Sequence, residues 1–246
     1  MEDLCDTLFE FSSTERMNIM LSLLEERLKL SHVSKKLNMT VTETSRHLQR
    51  LSDIQLIEKN VDGTFGPTPY GKLAIKLLSS LDFISTNRQY FLEHDLSGLP
   101  DELISRISDL SLGKLNTDIV RVLPYVNPMF QDAYEYIWVM SYTRALPSTI
   151  PIVEEKIKNG VNLRRIVPED LVSKPGDSPT TITGPRRSLS SLDVRIVMTE
   201  KEAICGFPLM NGNVDYTSFI GKDRKFHKWC KDAFLHYWEI SKPSPL

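Results

Sequence analysis

Five side chains within one short stretch, Thr42, Ser45, Arg46, Gln49 and Arg50, are of the types that read a DNA major groove. Arg and Gln can each make two hydrogen bonds to one base edge, while hydroxyls and a second Arg hold phosphate oxygens. At 3.6 residues per turn the five share one helix face, and Val41, Thr44, Leu48 and Leu51 fall on the other. The spacing therefore assigns Thr42, Arg46 and Gln49 to base edges, Ser45 to a supporting hydroxyl contact, and Arg50 to phosphate. Lys59, a short distance on, is a second phosphate candidate.

Such side chains work only if the chain around them forms a rigid mount. Thr40 followed by Glu43 is a capping box and starts the helix. Before it, Ser12 and Glu15 cap a first helix with Met17, Met20, Leu21, Leu24 and Leu28 at helical spacing, and Ser31 caps a shorter one. Asn38-Met39-Thr40 is the corner between the last two helices. After it, Leu56 to Lys59 and Thr64 to Gly66 read as strands joined by Asp62-Gly63, a hairpin or wing. Helix, helix, turn, helix and hairpin in that order predict a winged helix-turn-helix over residues 1–68.

Charge follows the same division. The whole chain has a net charge of −2, which is unpromising for a DNA ligand. Residues 1–26, however, hold seven acidic side chains and only Arg16, whereas residues 27–76 hold nine Lys or Arg against Glu43, Asp53, Glu58 and Asp62. The excess of positive charge lies where counterions would be released from phosphates. A winged helix that binds a protein partner of the transcription machinery is the competing reading, and it has no need of that excess.

From Thr68-Pro69 an apolar stripe of Leu73, Ala74, Leu77, Leu78, Leu81, Ile84 and Phe91 predicts one long connecting helix over 69–94. It has more apolar face than a small winged domain covers, so a homodimer through this helix is expected, with packing on its own C-terminal domain as the alternative. Residues 95–246 then read as an α/β domain with a mixed sheet. A strand at Tyr136–Tyr142, a helix at Thr149–Asn159 and a strand at Val161–Val167 make a right-handed βαβ crossover. Residues 170–188, rich in Pro, Gly and Ser, read as a mobile surface loop, and strands follow at Asp193–Thr199, Ala203–Phe207 and Tyr216–Ile220. The closing helix, Asp223–Ile240, carries Phe226, Trp229, Ala233, Phe234, Tyr237 and Trp238 on a face expected in the core. The fold class expected is α+β.

A small-molecule effector is expected at the carboxyl ends of the parallel strands, where α/β sheets open a crevice. Tyr142 and Arg144 at the end of one strand, with Arg164 or Arg165 from the next, would suit an anionic or carboxylate-bearing metabolite. Pairing of these arginines with Asp170 or Asp193 is the alternative. No segment is apolar enough to span a membrane, the acidic N-terminus lacks the features of a secretory signal, and three scattered cysteines favour a reducing compartment, so a cytoplasmic protein is expected.

Two sets of segments carry a family resemblance. TSRHLQRLSDIQLIEK with its Gly turn and TPYG resembles the arsenic-repressor-like winged helices of archaeal regulators. FLEHDLSGLPDELISRI, GVNLRRIVPEDL, EAICGFPLMNG, DYTSFIGKD and FHKWCKDAFLHYW resemble the effector domain of the archaeal methanogenesis-regulatory and filament-regulator family. The resemblance spans nearly the whole chain and implies a dimeric methanogen regulator that binds double-stranded DNA. It transfers functional positions only to the helix-turn-helix and wing.

Catalysis is not expected. Phospholipase-D-like folds, which the strand order resembles, need a His with a Lys two positions on, and none of the five histidines has one. Gly-rich phosphate loops are missing. His227 and Cys230, three apart, are too few ligands for a metal. The sequence thus predicts no catalytic residue, no metal and no cofactor.

Overall fold

The computed structural model describes residues 2–172, 184–213 and 215–244. It has an α+β fold that divides into two compact units, Met1–Leu81 and Asp82–Leu246.

The first unit begins with α1 (Glu2–Phe11), α2 (Thr14–Glu25) and the short strand β1 (Leu28–Lys29), followed by α3 (Leu30–Leu37) and α4 (Val41–Asp53). β2 (Ile57–Lys59) and β3 (Thr64–Pro67) then form an antiparallel hairpin, and β1 adds to its other edge in the order β1-β3-β2. Phe11, Ile19, Met20, Leu23, Leu28, Val33, Leu48, Leu51, Leu56 and Ile57 are buried together between the helices and this sheet. The helical spacing in α2 and α4 is thereby explained, since each contributes one face to a single core. α5 (Pro69–Thr86) follows; Ala74, Ile75 and Leu78 pack on this core, while its last five residues belong to the second unit.

The connecting helix is shorter than expected. It stops at Thr86, because the backbone N–H and side-chain amide of Asn87 both return to the carbonyl of Phe83, and α6 (Arg88–Glu93) starts afresh. Phe91 therefore lies on a different helix from Leu73 and Leu77.

The second unit continues with α7 (Asp101–Ile104), a 3-10 turn at Ile107–Leu112, β4 (Lys114–Asn116), α8 (Ile119–Gln131), β5 (Tyr136–Met140), α9 (Ile150–Lys158) and β6 (Asn162–Pro168). β7 (Arg186–Leu189), β8 (Arg195–Thr199), β9 (Ala203–Gly206), β10 (Ser218–Gly221), α10 (Arg224–Ile240) and β11 (Lys242–Pro243) complete it. The sheet runs β11-β7-β6-β5-β8-β9-β10-β4; β5, β6 and β7 are mutually parallel, and the other pairings are antiparallel. On one face, Phe226, Trp229, Cys230, Ala233, Phe234 and Tyr237 of α10 pack on Trp138, Met140, Ile196, Met198 and Cys205. On the other, Met129 and Phe130 of α8 and Val153 of α9 pack on Ile137, Leu163, Val197 and Ile204. The sheet is thus a middle layer, which is why its central strands are apolar on both faces.

The strand–helix–strand crossover at β5–α9–β6 is parallel, as its spacing predicts. Part of the expected loop at 170–188 lies outside the described residues; of the rest, Arg186–Leu189 is a strand, held by its parallel pairing with β6. Among the described residues no helix is long and apolar enough to cross a membrane.

Candidate nucleic-acid interface

α4 is fixed at its start by both halves of the capping box: Glu43 N–H donates to Thr40 Oγ1 at 3.2 Å, and Thr40 N–H donates to Glu43 Oε2 at 3.0 Å. The hydrogen bonds from Thr40 keep the Glu43 carboxyl below its ordinary pKa. The corner before it turns on Asn38, whose φ of 51° lies in the left-handed region that Asn tolerates. Met39 N–H returns to Ser34 O at 3.0 Å, and Ser34 Oγ donates to Met39 O at 2.7 Å, so the angle between α3 and α4 is set by hydrogen bonds.

Thr44, His47, Leu48 and Leu51 form the buried face of α4. Thr42, Ser45, Arg46 and Gln49 are exposed on the other, as their spacing predicts. Val41, expected inside, is 60 % exposed. A helical side chain leans over the turn that precedes it, and at the first helical position there is no such turn to cover. Val41 thus adds an apolar contact beside Thr42 and Ser45, of the kind that suits a thymine methyl group. Gln49 donates to Asp53 Oδ1 at 2.6 Å along the helix. Arg46 forms no ion pair among the described residues, and its guanidinium is exposed.

Arg50 departs from expectation. Its Nη2 lies 2.6 Å from Glu10 Oε1, its Nε 3.1 Å from Glu10 Oε2, and its guanidinium sits over the Phe9 ring at 5.2 Å. Glu10 is buried and also holds Arg16 at 2.7 Å. The expectation that Arg50 clamps phosphate is therefore corrected: its bidentate edge is occupied by α1, which the helical spacing of α4 could not reveal.

The β2–β3 hairpin is closed by Gly63 at φ +81°, a conformation that costs a side chain, and by Asp62 Oδ1, which accepts from both the N–H and the hydroxyl of Thr64. Lys59 is exposed, its ammonium 5.7 Å from the Phe65 ring centre. Val61 at the tip is fully exposed. Elsewhere the positive charge is partly spent internally: Arg27 pairs with Glu58 and Lys36 with Glu25 and Glu26. With Arg50 that leaves Lys29, Lys35, Arg46, Lys59, Lys72 and Lys76 as the cations of this segment outside its ion pairs.

The four effector candidates of the second unit do not converge. Arg164 is level with Trp138 and Arg165 with Val139, so the two arginines leave opposite faces of the sheet. The Arg164 guanidinium lies 4.8 Å from the Trp138 ring and 5.2 Å from that of Trp238. Arg165 lies beside Arg186, and burial lowers its pKa to about 10. Tyr142 packs on the α10 side, where burial and Asp193 push its phenol well above the ordinary value, and Arg144 is exposed. The pocket expected from these residues is corrected accordingly. His227 Nε2 lies 2.7 Å from Thr199 O, and Cys230 is a free thiol beside that of Cys205; burial first, and then Cys205, push the Cys230 thiol up.

No protein-family model matches the chain, and no curated protein matches it. Among solved structures it is similar to TrmBL2, an archaeal chromatin protein whose structure shows a novel mode of DNA binding, at 12% identity and a TM-score of 0.42 over 94% of both chains. It is also similar to Nuc of Salmonella typhimurium, a phospholipase D family member, at 14% identity and a TM-score of 0.40 over 52% of this chain and 90% of that one. NucT from Helicobacter pylori is similar at 12% identity and a TM-score of 0.44, over 53% and 98%. The two latter findings overturn the expectation that the chain is no enzyme. About half of it is similar in structure to phospholipase D family nucleases, and the exclusion of an enzymatic role is withdrawn.

Proposed function

We propose that this chain is a dimeric, sequence-specific DNA-binding transcription regulator, of the archaeal methanogenesis-regulatory and filament-regulator kind that its sequence resembles, and that it works in the cytoplasm. The observation that carries the reading is the outward face of α4. Val41, Thr42, Ser45, Arg46 and Gln49 are exposed together on a helix locked by its cap and corner, and Arg46 forms no ion pair among the described residues. Base-edge contacts fall to Thr42, Arg46 and Gln49, and phosphate contacts to Ser45 and Lys59. The second unit carries the sensing role.

The dimer contact is assigned to a second copy of the first unit. Leu73, Leu77 and Leu81, one row of α5 at four-residue spacing, are 57 %, 67 % and 53 % exposed. Leu4 and Leu8 of α1 are exposed too, and Thr7 Oγ1 lies 2.7 Å from Tyr70 Oη, which joins α1 to the start of α5. An apolar row of this length is costly to leave in water. A two-fold pairing along it would present two copies of α4 to half-sites about one DNA turn, or roughly 34–36 Å, apart.

The test is a titration of operator-length duplex at several salt concentrations with the native chain and with the Leu73→Asp, Leu77→Asp double variant. Affinity should fall steeply with salt, the native chain should sediment as a dimer and the variant as a monomer. Salt-independent association, or failure to bind duplex at all, would return the first unit to the protein-binding reading. An unchanged dimer in the variant would move the contact elsewhere.

A further inference from the structure

Arg195, on β8, is only 4 % exposed and has no carboxylate partner among the described residues. Its hydrogen bonding is one contact, Nη1 to Ser218 Oγ at 3.1 Å, and the Tyr216 ring lies 5.4 Å from its guanidinium carbon. Nε is buried and donates to nothing in the protein, so the Nε–Nη2 edge, the edge that grips a carboxylate or phosphate with two parallel bonds, is unused. Folded chains rarely bury a charge in this way, because the desolvation cost goes unreturned until an anion arrives.

The surroundings are built for that side chain. Arg195 is level with Gly206, whose missing Cβ leaves a lane across β9 to Ser218 on β10; a Cβ there would come within 2.7 Å of Ser218 Oγ. Ser218 is in turn level with Asn116 of β4, and α8 starts at Ile119, three residues later. On its other side β8 runs antiparallel to β5, with Met140 level with Ile196, which puts Arg195 at the carboxyl end of β5. That end, with a parallel neighbour on one side and an antiparallel one on the other, is where α/β sheets hold ligands.

We infer that Arg195 is the anchor of an anion site in the second unit, and that its ligand is a small metabolite whose carboxylate or phosphate group lies along the Nε–Nη2 edge. The site relocates the effector contact away from Arg164 and Arg165. Its control of DNA affinity rests on the regulator reading, whereas anion binding by itself does not.

Thermal unfolding of the full chain, with succinate, inorganic phosphate or sodium chloride at matched ionic strength, tests it. Succinate or phosphate should raise Tm above the chloride control, and whichever acts identifies the group. Arg195→Met should abolish the rise and, because an unpaired buried charge is gone, raise the Tm of the ligand-free protein. Arg195→Lys keeps the charge but loses the fork, and should weaken the response several-fold. An anion-insensitive native protein overturns the site, as does an undiminished response in Arg195→Lys. A ligand-free Tm that falls in Arg195→Met and recovers in Arg195→Lys does so too, by making the arginine a structural one. DNA affinity measured with and without the active anion is a separate readout: a site that binds but leaves affinity unchanged stands as a site and removes the sensing role.

Discussion

Two arginines that form no ion pair among the described residues set the halves of this molecule apart. Arg46 on α4 is exposed, and water covers its charge at no cost, so it is available to an external phosphate or base. Arg195 on β8 is buried, and the same lack of a partner is a standing cost to the fold. Both are positions where intramolecular pairing was withheld, but in one the surface keeps the residue ready and in the other a packed interior does. By contrast Arg50, one turn beyond Arg46, is bound to Glu10 of its own chain and contributes to the mount instead of the contact.

The sharpest way to break the comparison is to unfold one half without the other. All three tryptophans, Trp138, Trp229 and Trp238, lie in the second unit, so their fluorescence reports on that unit alone. Trp229 is fully buried and donates to Leu103 O at 3.0 Å; Trp229→Ala should cost roughly 3–5 kcal/mol in the fluorescence transition. Leu51→Ala, in the other core, should cost about 2–5 kcal/mol in the helical circular dichroism and leave the fluorescence transition in place. Coincident shifts of both signals in either variant would make the two units one cooperative body.

Smaller effects separate the two neighbouring arginines of α4. Arg46→Ala should weaken operator binding by about 1–3 kcal/mol and relax preference at one base pair, with folding unaffected. Arg50→Ala should do the reverse, slightly lowering the stability of the first unit by freeing Glu10 of one partner while preserving base preference. Equal losses of DNA affinity in the two, measured by anisotropy, would restore Arg50 as a phosphate contact.

The smallest effect concerns pH. Burial first, and then Arg46 and Arg16, hold the His47 imidazole below its ordinary 6.5. The unfolded chain therefore takes up the proton first as the solution is acidified. The stability that His47 contributes is complete above about pH 6.5 and is lost progressively below it. His47→Leu should flatten the decline of first-unit stability as the pH falls below about 6.5. An unaltered slope in that variant would assign the decline to other groups.

What could be read in the chain follows from how local each interaction is. The capping box at Thr40, the turn at Asp62-Gly63, the faces of α4 (Val41 apart) and α10, and the parallel pair β5–β6 each rest on contacts within a few residues or on a periodicity, and appear where the sequence places them. The elements that escaped are of another kind. β7 lies at the end of a stretch whose Pro, Gly and Ser content reads as loop, and it is a strand because β6 supplies its hydrogen bonds. α8 carries Pro124 and Pro128, which mask a helical pattern that packing enforces. α1, an acidic opening segment to the eye, is a helix that holds Arg50 through Glu10.

By itself, then, the sequence determined the α+β class, most of the outward face of α4 and the aromatic inner face of the last helix, since side-chain period is a property of the local backbone. The tertiary structure alone decided which charges are available. Glu10 meets Arg50 across forty residues, and Arg195 reaches Ser218 across the width of β9. Counter-ions are found through space, and neither partner's neighbours along the chain record the meeting.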